Sequence, residues 1–428
     1  MSSSFAAPAR GCPVHGVAAG HADVAGDAFD PFDLTDPFPF YAEARRDEPV
    51  FYSEDLGCYV VMRYADIKAV FDDWQTFSSE NAQAPLRPIA DEAKQVMKEG
   101  GFTAYSGLSA RIPPDHTRIR KIVQGCFGPK RFKSIEPQIR AIVERAIDGF
   151  ADRGEADLLA SFAYDVPALV LFRLLGVPDS DVRMVKDWAV SRALLTWGNL
   201  SPAEQVPHAH NMVRYWDYCQ ALVARKHQTP EDDLPSDLIA LQTDGAPISD
   251  HEIASICYSL LFAGHETTTT LISNAIRELL GHGSSWADLR DNPALIANAI
   301  EEVLRFSPSI VAWRRRAKAD ATVGGVPIPE GSNLLLVMGS GNRDEDVFAN
   351  GEVFDIRRTN ARNHISFGYG IHFCLGFQLA KLETGIALEA LARRLPNLRL
   401  KPQEMAFVRN ISFRVPTAVL ASWDRPAS

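Results

Sequence analysis

One cysteine in this chain is surrounded by residues that could make its sulfur a metal ligand. Cys374 lies in a glycine-rich loop, residues 367–376, and a helical pattern follows from Leu375 to Arg394. A thiolate at a helix N-terminus is stabilised by the positive end of the helix dipole. The loop glycines permit positive φ and let backbone amides and a flat ligand approach the sulfur closely. These glycines are Gly368, Gly370 and Gly376. The sulfur is therefore placed as an axial haem ligand requires.

A cysteine by itself is more often a small buried apolar side chain than a ligand. Here, however, six positions of residues 367–376 fit the pattern F-G-x-G-x-H-x-C-x-G. At roughly 5% usage per position, chance gives that match in far fewer than about one chain in ten thousand. The loop resembles the haem-binding signature of the cytochrome P450 family, and the chain is similar to that family from about Asp30 to Asp424. The resemblance implies haem b as the cofactor and Cys374 as the proximal iron ligand. The other haem contacts that it implies in this loop are Phe367, His372 and Gly376.

A second group of reactive side chains interrupts a long apolar helical pattern. Ser249 and Glu252 form a capping box, and the pattern continues until Gly281. In its middle, residues 263–270 place a glycine, a charge pair and four threonines where helix propensity favours Ala or Leu. Such a run can widen the helix and form a polar groove that holds water. The alternative is a partly exposed face whose threonines bond back to carbonyl oxygens.

The same run matches the A-G-x-E/D-T pattern of the cytochrome P450 family at Glu266 and Thr267. The resemblance implies that these two residues are the acid–alcohol pair that assists the protonation of dioxygen. A zinc site of the H-E-x-x-H type is excluded, because Thr269 stands at the second histidine position.

Two further segments match positions that contact the haem propionates in the family. Residues 113–121 begin a helix in which His116 and Arg120 match. Arg315 is preferred over its two arginine neighbours because of the pattern R-x-A-x-x-D, which ends at Asp320. Buried carboxylates need cationic partners, since burying them unpaired costs several kcal/mol each.

An ion network under the haem is also implied. Glu302 and Arg305 have the i, i+3 spacing of a helical ion pair, which alone is a weak signal. Residues 354–358 follow with the family's F-D-x-x-R pattern, so the resemblance adds Arg358 to the network. Gly351 stands where the family usually has proline, which predicts a looser loop.

A basic patch on this acidic chain follows the propionate helix. It comprises Lys121, Lys130, Arg131 and Lys133. One interpretation is an ordinary solvated helix face; the other is a docking surface for an acidic electron donor, a ferredoxin or an iron–sulfur reductase, which would raise the association rate more than the affinity.

The resemblance implies a substrate pocket with mostly apolar walls, which predicts a small to medium apolar or aromatic substrate. Each of these side chains could equally belong to the ordinary core. The predicted pocket residues are Leu195, Leu261, Ala263, Val311, Ala312, Ser412 and Phe413.

The whole chain predicts one large domain that is mainly α with a small β region, the cytochrome P450 fold. Its 428 residues contain no interior linker or repeat, and 46% are apolar. We expect a disordered tail over residues 1–28 and a haem domain over residues 29–428. Short strands are expected at residues 49–52 and 59–62, which flank a turn, at residues 331–339 and around residues 411–413.

Charge and cysteine usage exclude several classes of protein. The net charge of −10 argues against nucleic acid as a partner. Six dispersed cysteines indicate neither disulfides nor a zinc ribbon and suit a reducing cytoplasm. No signal peptide and no run of 18 apolar residues is present, so we expect no membrane anchor.

These features together predict a haem-thiolate monooxygenase that uses dioxygen to hydroxylate or dealkylate its substrate. Residues 47–52, 196–198 and 312–315 are especially similar to the haem domains of self-sufficient bacterial members, which are fused to a flavin and iron–sulfur reductase. The printed sequence has no such module, so we expect either an excised haem domain or a stand-alone relative. The alternatives are a haem-thiolate peroxygenase or rearrangement enzyme and a non-catalytic haem sensor.

Overall fold

Helices account for most of residues 24–425, the part of the chain that the computed structural model describes. The helices are α1 Val24–Ala28, α2 Phe38–Asp47, α3 Tyr64–Asp72, α4 Asp91–Glu99, α5 Asp115–Cys126, α6 Pro129–Asp148, α7 Val166–Leu174, α8 Val182–Trp197, α9 Pro202–Gln228, α10 Leu234–Thr243, α11 Asp250–Ala263, α12 Glu266–Gly281, α13 Ser285–Asp291, α14 Ile296–Phe306, α15 Met338–Gly341 and α16 Phe377–Arg394. The predicted fold class, mainly α with a small β region, is confirmed.

Three small sheets complete the described part of the chain. Their strands are β1 Val50–Ser53, β2 Cys58–Val61, β3 Phe77–Ser78, β4 Glu155–Asp157, β5 Trp313–Ala317, β6 Ala321–Val323, β7 Val326–Ile328, β8 Asn333–Leu336, β9 Arg399–Leu400 and β10 Leu420–Ser422. The largest sheet has the order β1-β2-β8-β5-β3, and the others are β4-β10-β9 and β6-β7.

The structure confirms the strand predictions in two of the three regions. The β1–β2 hairpin forms as expected, and β8 occupies the middle of residues 331–339. The expected strand at residues 411–413 is wrong. It is reduced to one bridge between Phe413 and Ile310, because Asn410 caps the segment by accepting hydrogen bonds from the Ser412 and Phe413 amides.

The long interrupted helix is two helices, α11 and α12, with Gly264 and His265 between them. The capping box begins α11 as predicted, since Ser249 N donates to Glu252 Oε2 at 2.9 Å. A Cβ on Gly264 would lie 2.8 Å from the Leu171 side chain. Glycine therefore lets α7 pack against the break, and the break positions the chemistry of this region.

The core places the break beside the cysteine loop. Helix α16 packs against α6, α12 and α14, while α8, α9 and α11 pack together on the other side. Strand β5 pairs with β8 and carries Arg315 opposite Leu334. The cavity described below lies between these groups.

Most of the predicted N-terminal tail, residues 1–23, lies outside the described residues, and residues 24–28 form α1. No helix within residues 24–425 is both long and apolar enough to cross a lipid bilayer.

Candidate active site

The loop that carries Cys374 lies against the end of α3. Gly368 and Gly370 have φ of +70° and +69°, and a Cβ on Gly370 would lie 2.9 Å from the Phe71 carbonyl oxygen. Glycine is therefore required where the loop crosses α3. Gly376, by contrast, does not use the positive φ that glycine permits, since its φ is −91° at the N-cap of α16.

Cys374 is half-buried at the start of α16 and lines the cavity described below. The backbone amides of Gly376 and Phe377 donate hydrogen bonds to its sulfur, and Arg120 is close. Burial nevertheless raises the pKa of the Cys374 thiol, and these three groups offset only part of that effect. The helix terminus alone does not stabilise the thiolate as expected, because burial removes the water that solvates a charged sulfur. A cation bound directly to the sulfur would reverse this balance.

Four nitrogen-bearing side chains gather near the sulfur: His116, Arg120, Arg315 and His372. Within residues 24–425 none of them has a carboxylate in ion-pair contact. The ring centroids of His116 and His372 are 4.2 Å apart. Burial, reinforced by nearby arginines, lowers the pKa of His116 to about 4 and that of His372 to about 3. Burial also lowers the pKa of Arg315 to about 10. This cluster lacks anions, and two buried carboxylates would supply them.

The structure distinguishes Arg315 from its arginine neighbours. Arg315 faces the cavity that contains Cys374. Arg314 instead donates to the Ala84 carbonyl oxygen at 2.5 Å, and Arg316 is half exposed beside Glu80. Alternation along β5 and its pairing with β8 therefore leave only Arg315 of the three pointing to the sulfur side.

Thr267 lies in the first turn of α12 and lines the same cavity as Cys374. Its hydroxyl donates to the Ala263 carbonyl oxygen at 3.0 Å. The hydroxyl proton is therefore engaged by the α11–α12 break, and the oxygen lone pairs remain available to accept a hydrogen bond in the cavity. The alternative interpretation, in which the threonine hydroxyls bond back to helix carbonyl oxygens, is therefore compatible with a Thr267 side chain that lines the cavity.

Glu266 faces away from the cavity, towards two buried bases. Its Oε1 lies 2.9 Å from His265 Nε2, although these atoms lack the alignment of a hydrogen bond. The His265 ring donates from Nδ1 to the Leu261 carbonyl oxygen at 2.6 Å. Burial alone raises the pKa of Glu266, but the charges of His265 and Lys186 outweigh it and lower the pKa. Glu266 is therefore held as a carboxylate, one residue from the Thr267 hydroxyl.

The cavity extends from Cys374 past Thr267 between apolar walls. Of the predicted pocket residues, Ala263 and Phe413 line it. Trp197, Leu260 and Ile310 also line the cavity. Each lies within two residues of a predicted pocket residue that does not line it. The five predicted residues that pack into the core instead are Leu195, Leu261, Val311, Ala312 and Ser412. The segments were identified correctly, but helix rotation and strand alternation turn these side chains away.

Comparison with known proteins identifies the family. The family model described as cytochrome P450 matches residues 58–414. Cyclomarin C epoxidase CymV of Salinispora arenicola (strain CNS-205) is 36% identical over 361 residues, which cover 84% of this chain and 88% of that protein. The chain belongs to the cytochrome P450 family.

Solved structures of cytochromes P450 agree closely with this one. Cytochrome P450 CREJ in complex with (4-ethylphenyl) dihydrogen phosphate has a TM-score of 0.91 and 54% identity, with 93% of this chain and 100% of that chain covered. An intact type IV self-sufficient cytochrome P450 monooxygenase has a TM-score of 0.89 and 37% identity, with 93% of this chain and 53% of that chain covered. The predicted similarity to self-sufficient members is confirmed.

This cytochrome P450 is thus a monooxygenase of a family whose cofactor is haem b, and its residues fit that group. Cys374 offers the sulfur, and the anion-deficient cluster with its unpartnered His116, His372 and Arg315 nitrogens suits two propionates. Haem bound through a cysteine thiolate supplies a reducible iron at which the O–O bond of dioxygen is cleaved. The chain itself must bind the substrate, exclude water and position protons.

A buried ion network braces the region behind the cysteine loop of this cytochrome P450. Glu302 and Arg305 form two contacts of 2.7 Å and are fully buried, and Arg358 Nε lies 3.3 Å from Glu302 Oε1. Arg305 also donates to the Gly351 carbonyl oxygen at 2.8 Å. The expectation of a looser loop at Gly351 is wrong, because a Cβ there would lie 2.3 Å from the Arg343 carbonyl oxygen. The loop is tightly packed.

The basic patch of this cytochrome P450 is partly neutralised. Lys121, Lys130 and Lys133 are exposed. Arg131, by contrast, forms an ion pair with Asp232 and lies 3.6 Å from Asp237. Within residues 24–425 the three lysines form no ion pair, whereas Arg131 belongs to the contact between α6 and the start of α10.

The sequence predicts one partner of Glu266 and gives no sign of the other. His265 forms the charge pair with Glu266 that residues 263–270 indicate. Lys186, which is 1% exposed, lies far away in the sequence on α8. No sequence signal connects Lys186 with Glu266.

Proposed function

We propose that this monooxygenase hydroxylates a small to medium aromatic substrate that carries an alkyl group. The observation that carries the proposal is the cavity that brings Cys374 and Thr267 together under apolar walls. Trp197, Phe262 and Phe413 form an aromatic wall, with ring centroids 5.0 Å apart for Trp197 and Phe413. Such a wall favours a flat apolar ligand.

The ligand of a relative supports this substrate class. The structure of CREJ, 54% identical to this chain, contains (4-ethylphenyl) dihydrogen phosphate. A para-alkylphenyl group has the flat apolar shape that the aromatic wall suits. We propose that its alkyl carbon is the position hydroxylated.

We further propose a role for each residue of the haem site, on one haem domain over residues 29–428. Cys374 binds the iron, and Thr267 and Glu266 manage protons on the opposite side. Glu302, Arg305 and Arg358 maintain the fold behind the cysteine loop. The proposed haem contacts are His116, Arg120, Arg315, Phe367, His372 and Gly376.

Electrons come, in this proposal, from an acidic ferredoxin or an iron–sulfur reductase that docks near Lys121 and Lys130. Both lysines are exposed, and Lys121 follows Arg120, which is close to the sulfur, on α5. The five described cysteines are free thiols, which supports the proposed location in a reducing cytoplasm.

Two measurements test the proposed function. First, the reduced protein with carbon monoxide should give the difference spectrum of a cysteine-ligated haem, and Cys374→Ser should abolish it. Second, 4-ethylphenol or 4-ethylphenyl phosphate should shift the ferric spin state and yield a hydroxylated product with a surrogate ferredoxin system. Failure of both compounds to bind would refute the aromatic substrate class while leaving the haem assignment intact.

A further inference from the structure

A buried arginine next to the cavity has no anionic partner within the described residues. Arg192 on α8 is 5% exposed, and no carboxylate lies within ion-pair distance of it in residues 24–425. Its guanidinium lies over the rings of Tyr258 and Phe262, at 4.6 and 5.2 Å from their centroids. It donates to the Tyr258 carbonyl oxygen at 3.2 Å. A buried cation of this kind is costly unless an anion comes close to it.

Gln83 connects Arg192 with the cavity. Arg192 donates to Gln83 Oε1 at 2.6 Å, and Gln83 Nε2 donates to Ser109 Oγ at 2.5 Å. A guanidinium can only donate hydrogen bonds, so the Gln83 amide must turn its oxygen to Arg192 and its nitrogen to Ser109. Ser109 thus accepts from Gln83 and keeps its own proton for a ligand. Gln83 and Ser109 both line the cavity, and such a chain of polarised donors strengthens binding of an anion.

A second hydroxyl in the same cavity has no hydrogen-bond partner in the described part of the chain. Ser259 on α11 is 9% exposed, and its Oγ is buried and unpartnered. It lies beneath the backbone of Gly107, where a Cβ would approach Ser259 Oγ to 2.7 Å. Arg111 also lines the cavity; Asp115 pairs with its Nη1, but its Nη2 is buried and has no hydrogen-bond partner within residues 24–425. The groups that can still bind an anion are therefore Ser259, Arg111 Nη2 and the Ser109 hydroxyl, which Arg192 orients through Gln83.

The position of Ser259 fits the far end of an aromatic substrate. Ser259 on α11 precedes Thr267 on α12 by eight residues, so that their separation is at most about 12 Å, the rise of eight residues in one unbroken helix. A para-alkylphenyl group joined to one phosphate is of comparable length. With its alkyl carbon near Thr267, such a molecule would reach Ser259 with its phosphate.

We propose that Arg192, Gln83, Ser109 and Ser259 form an anion subsite that holds the phosphate of an aryl phosphate monoester. The proposal rests on the aromatic hydroxylation proposed above and names its substrate class. The anion places its negative charge close to Arg192 and accepts hydrogen bonds from the two serine hydroxyls. The apolar walls hold the ring, so the subsite adds a preference for charged over neutral phenyl compounds.

The test compares two ligands that differ only in the phosphate. Dissociation constants of 4-ethylphenyl phosphate and 4-ethylphenol are measured with the haem-loaded protein by spin-state titration. We expect the wild type to bind the phosphate at least tenfold more tightly. Ser259→Ala and Arg192→Gln should each reduce that preference at least fivefold and leave the binding of 4-ethylphenol within twofold. Inorganic phosphate should compete with 4-ethylphenyl phosphate alone.

Ser255→Ala is the matched control. Ser255 also lies on α11 and lines the cavity, but its hydroxyl already donates to the His251 carbonyl oxygen at 2.8 Å and accepts from the Tyr105 amide. We expect an unchanged preference. If Arg192→Gln does not load haem, Ser259→Ala and Gln83→Leu decide the question.

The outcomes separate this proposal from the one that it rests on. Equal affinities of the wild type for both ligands overturn the anion subsite and leave the aromatic substrate class standing. A preference that survives in Ser259→Ala and Gln83→Leu also overturns it. Absence of binding by both ligands overturns both proposals.

Discussion

Thr267 and Glu266 are neighbours in the chain but hold protons differently. The Thr267 hydroxyl donates a hydrogen bond to the Ala263 carbonyl oxygen, and its oxygen lone pairs face the cavity. Glu266 is kept ionised by His265 and Lys186 and faces away from the cavity. If Glu266 supplies a proton to the cavity, either a water molecule must carry that proton to Thr267 or the Glu266 side chain must rotate towards Thr267.

Thr267→Ala should retain haem but uncouple the reaction. Without the hydroxyl, protons in the cavity lose their positioned acceptor, so reducing equivalents are diverted to hydrogen peroxide. We expect the ratio of product to NAD(P)H consumed to fall about tenfold or more, since a positioned proton-transfer group contributes about 10²–10⁴-fold. The measurement is NAD(P)H consumption against product and peroxide.

Thr270→Ala is the control for that substitution. Its hydroxyl donates to the Glu266 carbonyl oxygen at 2.8 Å, and its side chain is fully buried. It makes the same type of back-bond but does not line the cavity. Unchanged coupling in Thr267→Ala would argue against the proposed role, as would equal uncoupling in both variants.

Glu383 on α16 is a buried acid outside the catalytic group. It is 1% exposed, and neither carboxylate oxygen has a hydrogen-bond partner in the described residues. Burial raises its pKa well above the usual value. The folded state therefore keeps the Glu383 proton at pH values where the unfolded chain has released it. Stability from this group is complete at low pH and declines as pH rises above the unfolded pKa.

Glu383→Gln should remove this pH dependence. From about pH 5 to pH 8, the free energy of unfolding of the wild type should decrease relative to that of the variant, by up to about 1.4 kcal/mol per pH unit. Urea unfolding followed by circular dichroism at several pH values measures the difference. Glu389→Gln, at a partly exposed position on the same helix, should show no such trend. A constant difference between wild type and Glu383→Gln across this range would contradict the assignment.

At the scale of elements, the α11–α12 break provides polar groups to the cavity, whereas the loop around Gly351 keeps water away from a buried ion pair. The break exposes carbonyl oxygens that threonine hydroxyls satisfy, which gives the cavity its polar side. The Gly351 loop closes tightly on Arg305 and Arg343, so that the Glu302–Arg305 pair remains dry. A buried ion pair tolerates burial only when its remaining hydrogen-bonding groups are satisfied in this way.

Gly351→Ala should destabilise the protein. The added Cβ would meet the Arg343 carbonyl oxygen at 2.3 Å, so the loop must move and the Arg305 hydrogen bond to Gly351 must lengthen. Overpacking of this kind costs about 1–3 kcal/mol. Gly125→Ala in α5, where a Cβ meets nothing within 4 Å, should leave the urea midpoint unchanged or slightly raised. Similar midpoints for wild type and Gly351→Ala would show that the loop is as loose as the sequence suggested.

At the scale of the whole molecule, an acidic chain presents three exposed lysines on α5 and α6. The net charge is −10, so a negatively charged donor is repelled by most of the surface. Lys121, Lys130 and Lys133 provide a local exception. Such an arrangement orients an acidic partner during its approach.

Lys121→Glu combined with Lys130→Glu should slow reduction by an acidic [2Fe–2S] ferredoxin. We expect the second-order rate in stopped-flow experiments under carbon monoxide to fall about tenfold at low ionic strength, with a smaller effect at high salt. Lys98→Glu, an exposed position on α4, should change the rate little. Lys98→Glu changes the net charge half as much as the double variant, so an effect half as large on the logarithm of the rate would indicate that net charge alone acts.

The sequence by itself determined the family, and it predicted Cys374 as the ligand and Glu266 and Thr267 as the acid–alcohol pair. Those features depend on local spacing: the loop pattern around Cys374, the capping box at Ser249 and the glycine before Glu266 are all read within ten residues. Helical periodicity likewise indicated a mainly α fold. Local signals of this kind survive folding because they describe a turn, a cap or a break.

Only the tertiary structure decided which side chains face the cavity and which charges are compensated. Leu261 and Val311 lie in the predicted segments but point into the core, since a rotation of one residue changes the face. The pairing of Arg131 with Asp232 and the isolation of Arg192 depend on contacts between residues about one hundred positions apart. No spacing rule encodes such contacts, because packing of separate helices creates them.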